Sequence, residues 1–415
     1  MGNKEQALML FAENVLQDQE NLNQFTNDFS VKAVETIQAF QQTHPKYEKT
    51  PLRQLTYLAN LLKVKNIFVK DESLRFGLNA FKVLGGIYAI GKYIATQLDR
   101  DISTLSFTEL TSPEVKQTLG ELTFITATDG NHGKGVAWAA RELGHKCVVY
   151  LPKGAAQERV DAIRHEGADA QVTDGNYDDA VRLAAKTAQE NNWIILQDTS
   201  WEGYEDIPDW VMQGYASLAK EIVDQLGDGI ENTPTHLFLQ VGVGSYAASI
   251  AAFFANYYKE KCPKIILIEP HEANCYYQSF VTKKEDYQIV DGDLDTIMAG
   301  LSCGEPNPKA WEILKASSEG AISADDRLAA LGMRLLGNPL KTDARVIAGE
   351  SGAVPAGVLY CMATDKRYEH LKDMLEINEQ SSVVLINTEG DTDEHHYRQV
   401  VWEGSSSLST TEISS

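Results

Sequence analysis

Lys82 ends the polar run Asp71-Glu72-Ser73-Leu74-Arg75-Phe76-Gly77-Leu78-Asn79-Ala80-Phe81-Lys82 and opens an apolar helical stretch, Val83 to Leu98. Most lysines in such a place are solvated surface groups. Here Phe81 on one side and Val83-Leu84-Gly85-Gly86 on the other predict a partly desolvated amine, and burial favours the neutral form. A neutral lysine amine is the nucleophile of Schiff-base chemistry.

A second constellation, Thr126-Ala127-Thr128-Asp129-Gly130-Asn131-His132-Gly133-Lys134-Gly135, follows a predicted strand and opens a predicted helix. Backbone N–H groups around Thr128, Gly130 and Asn131 can there hold an anion such as a substrate carboxylate. The plainer alternative is a capped turn, and His132 alone reads as structural. Asp129 points the other way: a carboxylate placed where an anion should bind opposes the local electrostatics, and such conflicts gather at functional sites.

The third is Gln240-Val241-Gly242-Val243-Gly244-Ser245-Tyr246-Ala247, between a predicted strand and a long apolar helix. Its glycines let the backbone approach a phosphate, and the helix terminus supplies the field. A dinucleotide fingerprint competes for the same residues, with Glu269 as the ribose ligand. Glu269 falls beyond the ~20 positions that fingerprint uses, and Pro270 follows at once. Further polar loops, Gln197-Asp198-Thr199-Ser200-Trp201-Glu202-Gly203-Tyr204, Met298 to Pro306, Glu350 to Ala353 and Asn387 to Asp393, also follow predicted strands or helices. Singly each is an ordinary loop, but the C-terminal ends of strands are where open α/β sheets build their sites.

The elements that must carry these groups are short apolar runs at Ile67 to Lys70, Phe124 to Ala127, Cys147 to Leu151, Trp193 to Gln197, His236 to Val241, Ile265 to Glu269 and Ser382 to Asn387. Most precede ten or more residues of helical pattern, which predicts an α/β architecture with parallel sheets. There are too many for one compact sheet, so two are expected. Residues 5 to 43 read as one or two surface helices, and the Ser- and Thr-rich stretch 405–415 as a disordered tail.

A formal net charge of −22 argues against nucleic acid and anionic membrane surfaces as partners. No apolar stretch approaches the ~20 residues needed to span a bilayer, and Met1 to Leu10 lacks the apolar core of a signal peptide, so a cytoplasmic location is expected. The cysteines at 147, 262, 275, 303 and 361 are odd in number and widely spaced, which suits buried thiols better than a disulfide framework, although Cys275 and Cys303 could pair. No metal site is expected, for want of Cys-x-x-Cys or His-x-x-x-His spacing.

In order along the chain, these motifs resemble the tryptophan synthase β family of pyridoxal-phosphate enzymes, which includes the serine and threonine dehydratases. They are most similar to its diaminopropionate ammonia-lyases. The likeness runs from Thr50-Pro51-Leu52 to Glu389-Gly390-Asp391. It implies a fold-type II architecture of two domains, each with a mainly parallel twisted sheet flanked by helices. Residues 1–72 and 206–404 would form the large domain and 73–205 the small one.

It implies pyridoxal 5'-phosphate on Lys82, with Phe81 supporting the ring, Asn131 on its phenolic oxygen, Gly242, Val243, Gly244 and Ser245 around its phosphate, and Thr388 at the pyridine nitrogen. Asp129 stands where dehydratases usually have Ser, and with the loops around Asp198, Met298 and Glu389 it points to 2,3-diaminopropionate as the amino-acid substrate. The expected reaction is elimination to pyruvate and two ammonia. Lys82 and Asp129 would act as bases for the two enantiomers, Asp198 would hold the leaving amine and pass it a proton, and Thr128, Asp129, Gly130 and Asp198 would contact substrate. A serine or threonine dehydratase is the alternative, and a homodimer is implied.

Overall fold

The computed structural model describes residues 7–128, 130–227, 229 and 232–408. Eleven strands are present among the described residues: β1 Met9–Glu13, β2 Leu52–Gln54, β3 Asn66–Asp71, β4 Thr123–Ala127, β5 Lys146–Leu151, β6 Asp169–Val172, β7 Ile194–Ile195, β8 His236–Gln240, β9 Lys264–Pro270, β10 Gly320–Ala324 and β11 Ser382–Asn387. They form a seven-stranded sheet in the order β1-β10-β9-β8-β11-β3-β2 and a four-stranded sheet in the order β6-β5-β4-β7. The small sheet is parallel throughout, and the large one is parallel except for its edges, β1 and β2. This is the fold-type II α/β architecture that the sequence predicts.

Apolar runs become central strands because helices cover both faces of the sheet. Alternation then assigns each side chain to a layer. Leu237, Leu239, Ile265, Leu267, Val384 and Ile386 face one core, while Phe238, Ile266, Ile268, Val383 and Leu385 face the other. The first core runs on beneath helices Val83–Gln97 and Asn131–Glu142 to the inner side of the small sheet, at Phe124 and Val149. A third, smaller core lies between that sheet's outer side and the alanine stripe Ala180, Ala184 and Ala188 of helix Tyr177–Asn191. No described helix is long and apolar enough to cross a membrane.

The described part of the segment 5–43, residues 7–43, departs from its helical reading. Met9–Glu13 is an edge strand antiparallel to β10, and only Gln19–Thr26 and Val31–Gln42 are α-helical. Nor is the second helix merely superficial, since Gln41 is fully buried and its Nε2 donates to Leu84 O and Gly214 O. The strand partner, Gly-Ala-Ile-Ser-Ala, carries mostly small residues of weak strand preference, so neither half of the pair announces itself locally. β7 is shorter than the apolar run, because beyond Leu196 the side chain of Gln197 takes over the pairing with β4. At the other end, residues 405–408 form a turn tied to Arg334, whose guanidinium donates to Ser405 O and Ser406 O; 409–415 lie outside the described residues.

A buried ion network anchors the segment that leads to Lys82. Arg75 is fully buried, and its guanidinium pairs with Glu72 at 2.8 Å and with Glu221 at 2.8 Å. Lys70 Nζ lies 2.6 Å from the same Glu221 Oε2 and donates also to Thr50 O and Gln225 Oε1. Burial pushes the Glu221 carboxyl up, but Arg75 and Lys70 outweigh it and hold the group down at about 2. Two cations and two carboxylates, each hydrogen-bonded, is the arrangement in which buried charge is tolerated.

Candidate active site

Of the nine chain segments that line one cleft of about 770 Å³, five carry the predicted site residues. They are the turn before helix Val83–Gln97, the loop after β4, the loop after β7, the glycine loop after β8 and the end of β11; the last four are C-terminal ends of parallel strands. Phe81, Lys82, Thr128, Gly130, Asn131, Asp198, Gly242, Val243, Gly244, Ser245 and Thr388 all line it. Asp129 lies outside the described residues.

Lys82 immediately precedes helix Val83–Gln97, and its place is set from both sides. Behind it, Gly135 packs so closely that a Cβ there would stand 2.8 Å from Val83 N and 3.1 Å from Lys82 C. In front, Phe81 N donates to Thr388 O, Gly390 N donates to Asn79 O, and Lys134 Nζ donates to Leu78 O. The Phe81 ring is buried between Tyr215 and Tyr246, with centroids 4.8 and 4.7 Å away.

Lys82 Nζ donates to Asp198 Oδ2 at 2.6 Å. Asp198 is buried. Burial pushes its carboxyl up, whereas the positive charge of His132, when protonated, and of Lys82 pulls it down, to about 2. His132 is itself driven toward the neutral form by burial, and its Nε2 meets Leu196 O at 3.0 Å. A carboxyl held so low has no proton to give at neutral pH, so the proton-passing part expected of Asp198 does not suit it, whereas holding a cation does.

Hydrogen bonds that the sequence reading did not anticipate brace the residues around this pair. Gln197 uses its amide as a strand residue would use its backbone: Oε1 accepts from Ala127 N and Thr126 Oγ1, and Nε2 donates to Ala127 O and Tyr177 Oη. Ser245 Oγ donates to Asp198 O at 2.6 Å. Asn131 Nδ2 donates at 2.5 Å to Glu389 Oε2, and Glu389 Oε1 accepts from Ser351 N. The position of Glu389 at the end of β11 was the one signal available for it; the Gln197 clamp leaves no trace in sequence spacing.

Two expectations change. Thr128 Oγ1 accepts from Gly130 N at 2.9 Å and Gly133 N at 3.0 Å, so the Gly130 N–H is engaged in a cap and the Thr128 hydroxyl proton is what remains for an anion. Glu269 cannot be a ribose ligand, because it is fully buried and accepts from Tyr276 N and Tyr277 N at the start of helix Cys275–Thr282. Cys275 Sγ, beside it, points to Glu269 Oε1 and to Cys303 O.

The family model described as pyridoxal-phosphate dependent enzyme matches residues 44–389. A diaminopropionate ammonia-lyase of Salmonella typhimurium is 51% identical over 371 residues, 89% of this chain and 92% of the relative. The chain belongs to the diaminopropionate ammonia-lyases among the pyridoxal-phosphate dependent enzymes. The crystal structure of the holo diaminopropionate ammonia lyase from Escherichia coli superposes with a TM-score of 0.90 at 48% identity, covering 97% of this chain and 98% of that one. The same Escherichia coli enzyme in complex with an aminoacrylate-PLP azomethine reaction intermediate gives a TM-score of 0.88 at 47% identity, with the same coverage. A biosynthetic L-threonine dehydratase of Haemophilus influenzae is more distant, 30% identical over 54% of this chain and 37% of its own.

As a pyridoxal-phosphate dependent enzyme of the ammonia-lyase group, the chain should offer a phosphate cradle and a donor for a ring nitrogen, and its residues fit both. Gly244 has φ +100, and a Cβ on it would stand 2.0 Å from Tyr276 Oη; a Cβ on Gly242 would stand 3.1 Å from Gly300 O. The loop must therefore be bare backbone, and it opens helix Ser245–Tyr258, whose first N–H groups lack partners within the helix. Thr388 Oγ1 accepts from Gln240 Nε2 at 2.9 Å, which leaves its own proton to donate.

Proposed function

We propose that this protein catalyses the α,β-elimination of 2,3-diaminopropionate, in its D and L forms, to pyruvate and two molecules of ammonia with consumption of one water. The observation that carries the reading is Lys82 Nζ within 2.6 Å of a buried carboxylate, Asp198, in the cleft that the glycine loop closes. When bound, pyridoxal phosphate supplies the electron sink for bond breaking at Cα.

Lys82 holds the cofactor until the substrate amine displaces it. As a free amine it then takes the α-proton from its own side. Asp129 serves the opposite side for the mirror-image substrate. Lys82 Nζ, carrying the proton it has removed, delivers it to the neutral β-amine, and Asp198, a carboxylate at neutral pH, holds the resulting ammonium until the C–N bond breaks and ammonia leaves. The hydroxyl of Thr128 donates to the substrate carboxylate. Phe81 supports the ring, Asn131 uses its second amide hydrogen toward the phenolic oxygen, and Thr388 donates to the pyridine nitrogen. Gly242, Val243, Gly244 and Ser245 take the phosphate on backbone N–H groups.

A dehydratase would expel a neutral β-hydroxyl, for which a buried carboxylate beside Lys82 offers nothing. The deciding experiment pairs turnover of diaminopropionate against serine with borohydride trapping and peptide mapping. Faster loss of diaminopropionate and a label on Lys82 are expected; a label elsewhere, or preference for serine, refutes the proposal. The division into 1–72 with 206–404 and 73–205, and a homodimer of the 45.9 kDa chain, belong to the same reading and are checked by limited proteolysis and light scattering.

A further inference from the structure

Beside the Lys82 cleft, and sharing Gly130, Asn131, Gly300 and Glu389 with it, lies a second chamber of about 510 Å³. Its walls carry opposite charges. From the small-sheet side come Lys134 and Arg159, the latter on helix Gln157–His165; from the large-sheet side come Glu389 and Glu350. Most of these are already engaged: Lys134 with Leu78 O, Glu350 with His396 Nδ1 at 2.5 Å, and Glu389 with Asn131 and Ser351. Arg159 differs. It lies half-buried over Gly130, where a built Cβ would meet its Cδ at 3.3 Å, and among the described residues its guanidinium has no ion pair. Its charge nevertheless reaches across the chamber, opposing the burial and the Glu350 charge that raise the Glu389 carboxyl. A half-buried guanidinium with no carboxylate partner among the described residues forgoes, within that set, charge-assisted bonds that are among the strongest a protein makes.

We propose that this chamber is a docking subsite for the amino-acid substrate, in which Arg159 takes the carboxylate and Glu389, with Glu350 beside it, receives the terminal ammonium before the molecule passes Gly130 and Gly300 to Lys82. The inference rests on the diaminopropionate activity proposed above and adds a reason for its selectivity, since serine has the carboxylate but no second amine.

Steady-state kinetics of the holoenzyme and of Arg159→Gln and Arg159→Lys test it. Arg159→Gln is expected to raise KM for diaminopropionate about tenfold with kcat within about twofold, the scale of one charge-assisted bond, and Arg159→Lys to recover most of the loss. In the parent enzyme kcat/KM should fall with added salt, and in Arg159→Gln this slope should flatten. A KM within about twofold of the parent overturns the subsite. So does a loss that falls on kcat, which would mark Arg159 as a prop for the Gly130 turn. If Arg159→Gln does not fold, a salt-independent kcat/KM in the parent overturns it equally. A parent that turns over no diaminopropionate ends the activity reading and this one together; an active parent with parent-like variants ends this one alone.

Discussion

Lys82 Nζ and Asp198 Oδ2 stand 2.6 Å apart across 116 residues of chain, and one of the two groups is buried. The pair joins the helix that starts at Lys82 to the end of the small sheet.

Replacing Asp198 by Asn removes the charge proposed to hold the β-ammonium. We expect kcat for diaminopropionate to fall ~10²-fold or more, the range of a lost charge-stabilising group, while the visible absorption of the lysine-bound cofactor persists. Because the Asp198 carboxyl is held at about 2, well below its ordinary 3.8, it stays ionised through the working range. The acid limb of the parent's pH profile should then be the same in Asp198→Asn, as read from kcat/KM against pH.

Asp129→Asn should separate the enantiomers. Turnover of D-diaminopropionate is expected to drop ~10²-fold, with the L form changed far less, if the two bases serve opposite sides. Equal losses for both isomers, measured as pyruvate released, count against the assignment.

Gly135→Ala tests the position of Lys82. The new Cβ would meet backbone atoms, Val83 N at 2.8 Å and Lys82 C at 3.1 Å, which cannot swing aside as a side chain could. A cost of ~1–3 kcal/mol in stability and a fall in kcat larger than the change in cofactor affinity are expected. Thermal melts and a titration of apoenzyme with pyridoxal phosphate measure both.

Glu221→Gln breaks the buried network under the Lys82 segment and leaves Lys70 and Arg75 with an uncompensated charge. We expect a loss of ~3–5 kcal/mol from denaturant melts. The parent gives a matching pH signature. The folded-state pKa of Glu221 is depressed from 4.5 to about 2, so its stabilisation is present above the unfolded value and is lost as pH falls through that window. Acid unfolding between about pH 4.5 and pH 2 should therefore flatten in Glu221→Gln.

Much of this molecule was legible in the chain. Seven apolar runs became strands at or close to their predicted places, because a buried parallel strand must be apolar on both faces and that leaves a continuous signal. β1, β2, β6 and β10 were missed, since edge or small-residue strands are specified by a partner far away in sequence. Glycine-bearing loops after strands were equally readable. The contributions of Gln197, Gln240 and Glu389 were not, because an amide or a carboxylate declares its partner only when the fold supplies one.

The residue types and their order determined the class of chemistry: an amine on a helix start, a bare glycine loop for a phosphate, and carboxylates at strand ends, each bound by local covalent and conformational rules. Only the tertiary structure decided that Asp198 is the carboxylate that meets Lys82, that Thr128 caps its own helix, and that Arg159 faces Glu389 across a chamber. Burial and the sum of neighbouring charges set what a titratable group can do, and those depend on which segments pack together, here through glycines set so close to a helix far away in the chain that an added Cβ would stand about 3 Å from its backbone.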